Sequence, residues 1–214
     1  MHIPDGFLSP QTFLPLYAVA GAAWAVGLRR VRRRLDEETI PLLAVVTALA
    51  FVLHMIALPL PGGATVHATG IGLLAILFGP WTAFLCLSLV FLMQALLFGN
   101  GGVTALPLAA LAMGLAGSVT AAGLYRLLRP RSETLALFLG AAAAVLVAAA
   151  LVAVVLGIQP LIAQRADGTP LFFPFGLAIT LPAVLLPHLA VATGEGVLTV
   201  LLYRFLTRLR GVTA

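Results

Sequence analysis

The sequence predicts an all-α membrane protein, a single bundle of about seven transmembrane helices over residues 1–214 with no separate soluble domain. Hydrophobic residues make up 62% of the chain and charged residues 9%, a balance far too apolar for a soluble domain. Apolar runs of about the length needed to cross a bilayer follow one another along the chain. All twelve basic residues are arginine and lie near the ends of these runs, which argues against a nucleic-acid surface.

The first two helices set the predicted orientation. An apolar run from about Thr12 to Leu28 ends at a basic loop, 29–34, with five arginines. Because basic loops stay in the cytoplasm, the N-terminus should lie outside. The second helix, about Ile40 to Leu58, then returns the chain to the outside.

The apolar stretch from Ala68 to Phe98 should form two helices, since Gly79-Pro80 interrupts it and proline inside a helix costs about 3 kcal/mol. We predict a short helix of about Ala68 to Phe78 and a second of about Trp81 to Leu97. The short helix cannot cross a core of about 30 Å. The loop before it, Pro59 to His67, should therefore dip into the membrane under cover of neighbouring helices, which makes it a candidate site.

Three further helices complete the predicted bundle: about Thr104 to Leu128, about Glu133 to Leu156 and about Leu181 to Leu206. An outer turn at 98–102 precedes the first, and an outer loop at 157–175 precedes the last. Eleven of the twelve arginines then lie on one side, which predicts an outer N-terminus and a cytoplasmic C-terminus.

The Met1-His2 unit is a candidate metal chelator. The chain lacks the features of a signal peptide at its start, and bulky His2 should keep the initiator methionine in place, so we expect a free amine at Met1. That amine, the amide nitrogen and the Nδ1 of His2 can bind one cation in nearly one plane, an arrangement that suits Ni(II) or Cu(II). His67, predicted on the same side, could add a fourth nitrogen. The alternative is that His2 belongs to a frayed terminus and His67 to an ordinary loop.

Other polar residues in apolar runs leave two interpretations open. His54 is either a packed, hydrogen-bonded histidine or a support for a metal ligand. His188 and Glu195 share a face of the last helix and form either a proton or ion relay or a helix–helix hydrogen bond to Gln94 or Ser88. The small residues of the first helix either pack internally or form a docking face; they are Ala18, Gly21, Ala22 and Ala25.

The sequence offers no sign of an enzyme. It contains neither a His-Glu-x-x-His nor a Gly-x-Ser-x-Gly motif, and no glycine-rich phosphate loop, so we predict no catalytic residues. The lone Cys86 lies in an apolar run and provides neither a disulfide framework nor a thiolate cluster.

Five stretches resemble the CbiM/NikM family: 1–8 (MHIPDGFL), 61–67 (PGGATVH), 77–81 (LFGPW), 94–102 (QALLFGNGG) and Glu195-Gly196 with Thr199. Members of this family are the substrate-capture (S) components of energy-coupling factor transporters for cobalt and nickel. The resemblance covers most of the chain, and its N-terminal stretch together with His67 is highly specific.

The resemblance implies a seven-helix protein of a bacterial or archaeal cell membrane. Its cargo, Ni(II) or Co(II), would be held by the Met1 amine, the amide and imidazole nitrogens of His2 and the imidazole of His67. Apart from the resemblance, we predict that five polar residues support this site or act as a relay, namely His54, Gln94, Asn100, His188 and Glu195, and we expect no prosthetic group. Family members work with a membrane T component, with ATPase subunits that hydrolyse the ATP, and often with a small accessory membrane protein.

Two questions stay open. Pro107 replaces a family glycine, and Ala109 and Ala112 stand where the family has asparagines, so the choice between nickel and cobalt is not predicted. A rival hypothesis is an autonomous proton-coupled divalent metal transporter that uses His188 and Glu195 as its relay.

Overall fold

The computed structural model describes residues 3–32, 36–56, 58–59 and 65–212, and it confirms the predicted all-α fold. Seven main helices follow in chain order: α1 Pro10–Val31, α2 Thr39–Met55, α3 Ile71–Phe78, α4 Pro80–Phe98, α5 Leu106–Leu128, α6 Glu133–Gly157 and α7 Leu177–Val212. Among the described residues, five of these helices are long and apolar enough to cross a membrane, namely α1, α4, α5, α6 and α7. The protein is therefore a multi-pass membrane protein.

The predicted break between α3 and α4 is confirmed. Gly79 ends α3 with a φ of +86°, a value that favours glycine, and Pro80 starts α4 at the position where its missing N–H costs nothing. The chain therefore reverses within one residue, and α3 remains a helix of 8 residues.

Helix α3 lies in the centre of the bundle against α6. Ile71, Leu73 and Leu74 are fully or almost fully buried. A Cβ on Gly72 would lie 2.4 Å from the Cβ of Ala141, so only glycine permits this approach. Small residues at helix contacts let membrane helices pack closely, which explains the alanine-rich sequence of α6.

Helix α5 is wound as a π-helix over Ala110–Gly117, a feature that was not predicted. Two glycines in this segment meet neighbouring helices closely. A Cβ on Gly114 would lie 3.2 Å from the ring of Phe84, and one on Gly117 would lie 3.3 Å from the carbonyl oxygen of Ala144. The wide turns thus fall where α5 packs against both α4 and α6.

The predicted helix limits need three corrections. Helix α2 ends at Met55, because Leu58–Pro59 forms a two-residue strand that pairs antiparallel with Thr65–Val66. Helix α7 begins at Leu177, earlier than predicted, and continues past Pro182 and Pro187. The segment 157–175 is not purely loop, since Gln159–Ile162 forms one helical turn and Gln164 pairs with Pro170.

The arginine-bearing helix ends lie together. Arg29 and Arg30 at the end of α1 and Arg126 near the end of α5 line one cavity together with the α3–α4 turn. Arg204 of α7 donates to the Thr134 hydroxyl at the start of α6 at 2.6 Å. The arginine-bearing helix ends therefore lie on one side of the bundle, as predicted. Which side faces the cytoplasm stays a prediction.

The small-residue face of α1 is not used for packing inside the chain. Ala18, Gly21, Ala22 and Ala25 are all exposed. The internal-packing interpretation is therefore wrong for these four residues, because the bundle packs on other faces of α1, such as that of buried Ala20 and Gly27.

Candidate metal centre

The N-terminal segment is tied to the start of α5 by its backbone and by one carboxylate. The Ile3 carbonyl accepts from the Gly102 N–H at 2.7 Å. Asp5 Oδ1 accepts from the Thr104 N–H at 2.8 Å and from its hydroxyl at 2.5 Å, and Asp5 Oδ2 accepts from the Val103 N–H at 3.3 Å. The hydrogen bond from the Thr104 hydroxyl, and to a lesser extent that from the Thr104 N–H, lowers the pKa of Asp5. We call these contacts the Asp5 clamp.

Glycine at position 102 is required by this clamp. A Cβ there would lie 2.5 Å from the backbone nitrogen of Asp5 and equally close to its carboxylate. Only a residue without a side chain lets the two backbones approach this closely.

A second anchor lies farther along the N-terminal segment. The Ser9 N–H donates at 2.9 Å to the side-chain oxygen of Gln159, which is fully buried. Gln159 in turn donates to the Thr12 hydroxyl and to the Val155 carbonyl. Ile3 and Leu8 pack into one apolar cluster with α5 and α6. The segment that follows Met1-His2 is thus fixed at several points.

Two of the predicted ligands, Met1 and His2, lie outside the described residues, so the predicted chelate stays a prediction. The third, His67, is 4% exposed, as expected for a loop covered by neighbouring helices. It directly follows the strand Thr65–Val66. No group of three or more His, Cys, Asp or Glu side chains in the described part of the chain could hold a metal ion.

His54 lies directly against His67. Their ring centroids are 5.2 Å apart, and the ring of Phe91 packs on His54 with a centroid distance of 5.4 Å. His54 Nδ1 lies 2.8 Å from the Ala50 carbonyl, which can only accept, so Nδ1 carries the proton. His54 is therefore a packed, hydrogen-bonded histidine, and its ring limits the positions that the His67 ring can take.

Glu195 holds the chain just after His67. Its Oε2 accepts from the Thr69 N–H at 2.7 Å, and both residues are almost completely buried. Its Oε1 has no hydrogen-bond partner among the described residues. The carboxylate lies near the start of α3, where a helix N-terminus favours negative charge. Glu195 thus positions the segment that carries His67.

One of the two interpretations left open, a helix–helix hydrogen bond from His188 or Glu195 to Gln94 or Ser88, is not observed among the described residues. His188 Nδ1 lies 2.7 Å from the Val184 carbonyl of its own helix. The Ser88 hydroxyl accepts from the Trp24 indole and donates to the Phe84 carbonyl. Gln94 is fully buried, and its side-chain nitrogen lies 3.5 Å from the Phe51 carbonyl.

A short path of side chains joins the fixed N-terminal segment to His67. Ile3, Phe91, Asn100 and Ala109 line one small void of about 20 Å³. Phe91 contacts His54, and His54 contacts His67. Two extended residues span at most about 7 Å, so Met1 and His2 cannot extend far from Ile3. Ile3 itself lies at the start of this path.

The two alanines that depart from the family pattern lie beneath the N-terminal segment. Ala109 borders the void that Ile3 and Asn100 also line. Ala112 is buried in the apolar cluster of Ile3 and Leu8. The substitutions therefore leave this side of the segment apolar.

Sequence reasoning missed Thr104, Gln159 and Thr69 as parts of the site. Asp5 was noticed only as a member of the N-terminal stretch, and its partner Thr104 lies 99 positions away. Ser9 and Gln159 are separated by 150 positions. No local pattern predicts such pairs, although Gln159 could have been suspected as a polar residue at the end of an apolar run.

Comparisons with known proteins agree on one family. A model of the CbiM family, described as the cobalt uptake substrate-specific transmembrane region, matches residues 2–212. The chain is 42% identical over 212 residues to a probable fused nickel transport protein LarMN of Lactiplantibacillus plantarum, with 97% of this chain and 65% of that protein covered. It is 40% identical over 215 residues to a fused nickel transport protein NikMN of Rhodobacter capsulatus, with 97% and 62% covered. The chain thus spans less than two thirds of the length of these relatives.

A solved structure matches almost completely. It is described as a truncated transition metal transporter, and it is 38% identical with a TM-score of 0.92, covering 97% of this chain and 99% of that chain.

Proposed function

This chain belongs to the CbiM family of cobalt uptake transmembrane proteins, and on that premise we propose that it is the substrate-binding membrane component of an energy-coupling factor transporter for nickel or cobalt. The relatives named above are nickel transport proteins, and the family description names cobalt uptake. Its partners would be a membrane T component, ATPase subunits and, in some systems, a small accessory membrane protein.

One observation supports this proposal most directly. His67 is buried and held from two directions, by the ring of His54 and by the Glu195–Thr69 hydrogen bond. Phe91, which packs on His54, lines a void together with Ile3 of the anchored N-terminal segment. A rigid imidazole beside a short, anchored terminus is the arrangement that a four-nitrogen site from Met1, His2 and His67 requires. Such tetragonal nitrogen sites suit Ni(II), and Co(II) accepts the same ligands.

The proposed capture step exchanges protons for metal. The ion enters from outside and displaces one proton from the Met1 amine and one from the His2 amide, and it binds the two imidazoles in their neutral form. The loop around His67 then closes over the ion. The Asp5 clamp and Gly102 limit where the terminus can lie, so less conformational freedom is lost on binding.

The proposed release step depends on partners. The four small residues exposed on α1, Ala18, Gly21, Ala22 and Ala25, form a face on which another membrane helix could pack closely, and we assign this face to the T component. ATP hydrolysis on the ATPase subunits would then drive release to the cytoplasm by tilting the whole bundle, since the α3–α6 core is tightly packed.

The binding proposal is tested by calorimetric titration of Ni(II) and Co(II) into the purified protein. His67→Ala should weaken binding by more than about 100-fold, because it removes a ligand and not merely a support for one. His188→Ala serves as the matched control, because the hydrogen bond found for His188 in the described part of the chain is to the Val184 carbonyl of its own helix, and this variant should bind as the wild type does. Equal loss in both variants would contradict the proposed site.

The partner proposal is tested by metal uptake in cells with and without the T component and ATPase subunits. Uptake should require those subunits. If the chain alone supports uptake and Glu195→Gln abolishes it, the autonomous proton-coupled mechanism replaces the one proposed here.

A further inference from the structure

The arginine-bearing end of the bundle contains a cavity of about 570 Å³, within the size range of ligand pockets. It lies where the ends of α1, α3 and α5 meet the start of α4. Three arginines line it, Arg29, Arg30 and Arg126, together with Trp81. We call it the arginine cavity.

The arginine cavity carries unbalanced positive charge. None of its described lining residues is acidic, and the one ion pair found in the described part of the chain joins Arg129 to Glu133. The Arg30 guanidinium lies over the Trp81 ring, 4.6 Å from its centroid. This stacking holds one arginine in place without neutralising it.

The N-terminus of α4 opens into the same cavity. Helix α4 has 19 residues, no side-chain cap and no acidic residue in its first turn. The N–H groups of such a terminus and its dipole favour an anion, and arginine binds phosphate through two parallel hydrogen bonds. Three independent features, the arginines, the cavity and the uncapped helix, thus point to one anionic group.

An apolar groove continues from the arginine cavity along the outside of α4. A second cavity of about 590 Å³ shares Val31 and Thr82 with the first. A third of about 650 Å³ shares Leu43, Cys86 and Leu89 with the second. Leu89 is 52% exposed, so this groove between α1 and α2 opens to the surroundings of the bundle.

We propose that the arginine cavity and this groove together bind one anionic phospholipid. The headgroup phosphate lies among Arg29, Arg30 and Arg126 at the α4 N-terminus, and an acyl chain follows the groove past Leu89. A free phosphate ion would use the arginines but leave the groove empty, and a neutral lipid would use the groove but leave the arginines unpaired. Basic pockets between membrane helices are suited to anionic headgroups. This site is separate from the metal centre and does not depend on the proposed transport function.

The site is tested by native mass spectrometry of the purified protein titrated with phosphatidylglycerol, with phosphatidylcholine of the same chains and with inorganic phosphate. One phosphatidylglycerol should bind more tightly than phosphatidylcholine, and phosphate should not compete at equal concentration. Arg126→Gln should weaken phosphatidylglycerol binding about fivefold, the effect of one arginine near a membrane surface. Equal binding of the two lipids would overturn the proposal, and effective competition by phosphate would assign the cavity to a soluble anion.

Arg208→Gln is the matched control, because it removes one charge from an exposed arginine of α7 that does not line the cavity. It should bind phosphatidylglycerol as the wild type does, and an equal loss in both arginine variants would mean that only overall charge matters. Leu89→Trp fills the groove with all arginines intact and should also weaken binding. If Arg126→Gln does not fold, Arg30→Gln takes its place.

A benzophenone amino acid in place of Leu89 identifies the natural occupant in cell membranes. Illumination should label phospholipid. Labelling of a protein instead would show that the groove is a protein interface and would overturn the lipid assignment.

Discussion

Replacing Asp5 by alanine should weaken nickel and cobalt binding about tenfold and leave the bundle folded. The change removes the three hydrogen bonds that Asp5 accepts from Val103 and Thr104. Because this site is exposed, each bond contributes at the low end of the usual range, about 0.5 kcal/mol, for a total of about 1.5 kcal/mol. If the clamp holds the terminus ready to bind, the apparent dissociation constant rises by the corresponding factor of about ten.

Calorimetry on Asp5→Ala and on Asp167→Ala makes the test specific. Asp167 is a second exposed aspartate that accepts from a threonine N–H and hydroxyl, those of Thr169, and among the described residues it makes no hydrogen bond with the N-terminal segment. Asp167→Ala should bind metal as the wild type does. Unchanged binding in Asp5→Ala, or an equal loss in both variants, would refute the idea that the clamp prepares the terminus.

Three other predictions concern the rest of the site. Glu195→Ala should lower metal affinity about tenfold and lower the melting temperature, because the buried Thr69 N–H loses its partner at a cost of about 1–3 kcal/mol. Glu195→Gln keeps an acceptor for this N–H and should bind metal within about threefold of the wild type. Ala109→Asn should strengthen nickel binding by up to about fivefold, the effect of about 1 kcal/mol from one hydrogen bond beside Ile3, and calorimetry that shows no gain would contradict a supporting role for this position. Affinity should fall about 100-fold per pH unit just below the amine pKa of about 7.7, since two protons are released, and the same slope is expected in Asp5→Ala. Because the pKa of Asp5 is lowered in the folded protein, the stabilisation that the Asp5 clamp provides is present above the ordinary value of 3.8 and is lost only as the pH falls through the lower folded value. The clamp therefore does not titrate between pH 8 and 5.

The helices were largely predictable because a bilayer demands long apolar runs, and because Gly79-Pro80 breaks one of them. The end of α2 was not predictable, since the helix is followed by the strand Leu58–Pro59, whose pairing partner Thr65–Val66 comes later in the chain. Helix α7 was predicted to begin at about Leu181 and begins at Leu177 instead, and it continues through Pro182. Membrane helices tolerate such prolines where neighbouring groups satisfy the backbone.

The site was predictable only where its chemistry is local. Met1-His2 was proposed as a chelator from the nitrogens that these two residues supply, and His67 from its place in a loop before a helix too short to span; both assignments stay predictions. The supports of the site were not predictable, because they are contacts between distant segments. Glu195 reaches Thr69 across 126 positions, and its spacing from His188 suggested a relay instead.

The central claim, that the amine of Met1 is a metal ligand, can be tested on the unmutated protein. The chain contains no lysine, so its side chains offer no primary amine, and an amine-acetylating reagent acts at the N-terminus. Calorimetric titration before and after acetylation should show a loss of nickel affinity of more than about 100-fold, and protein saturated with nickel beforehand should be acetylated more slowly. An acetylated protein that binds nickel with unchanged affinity and stoichiometry would contradict the account.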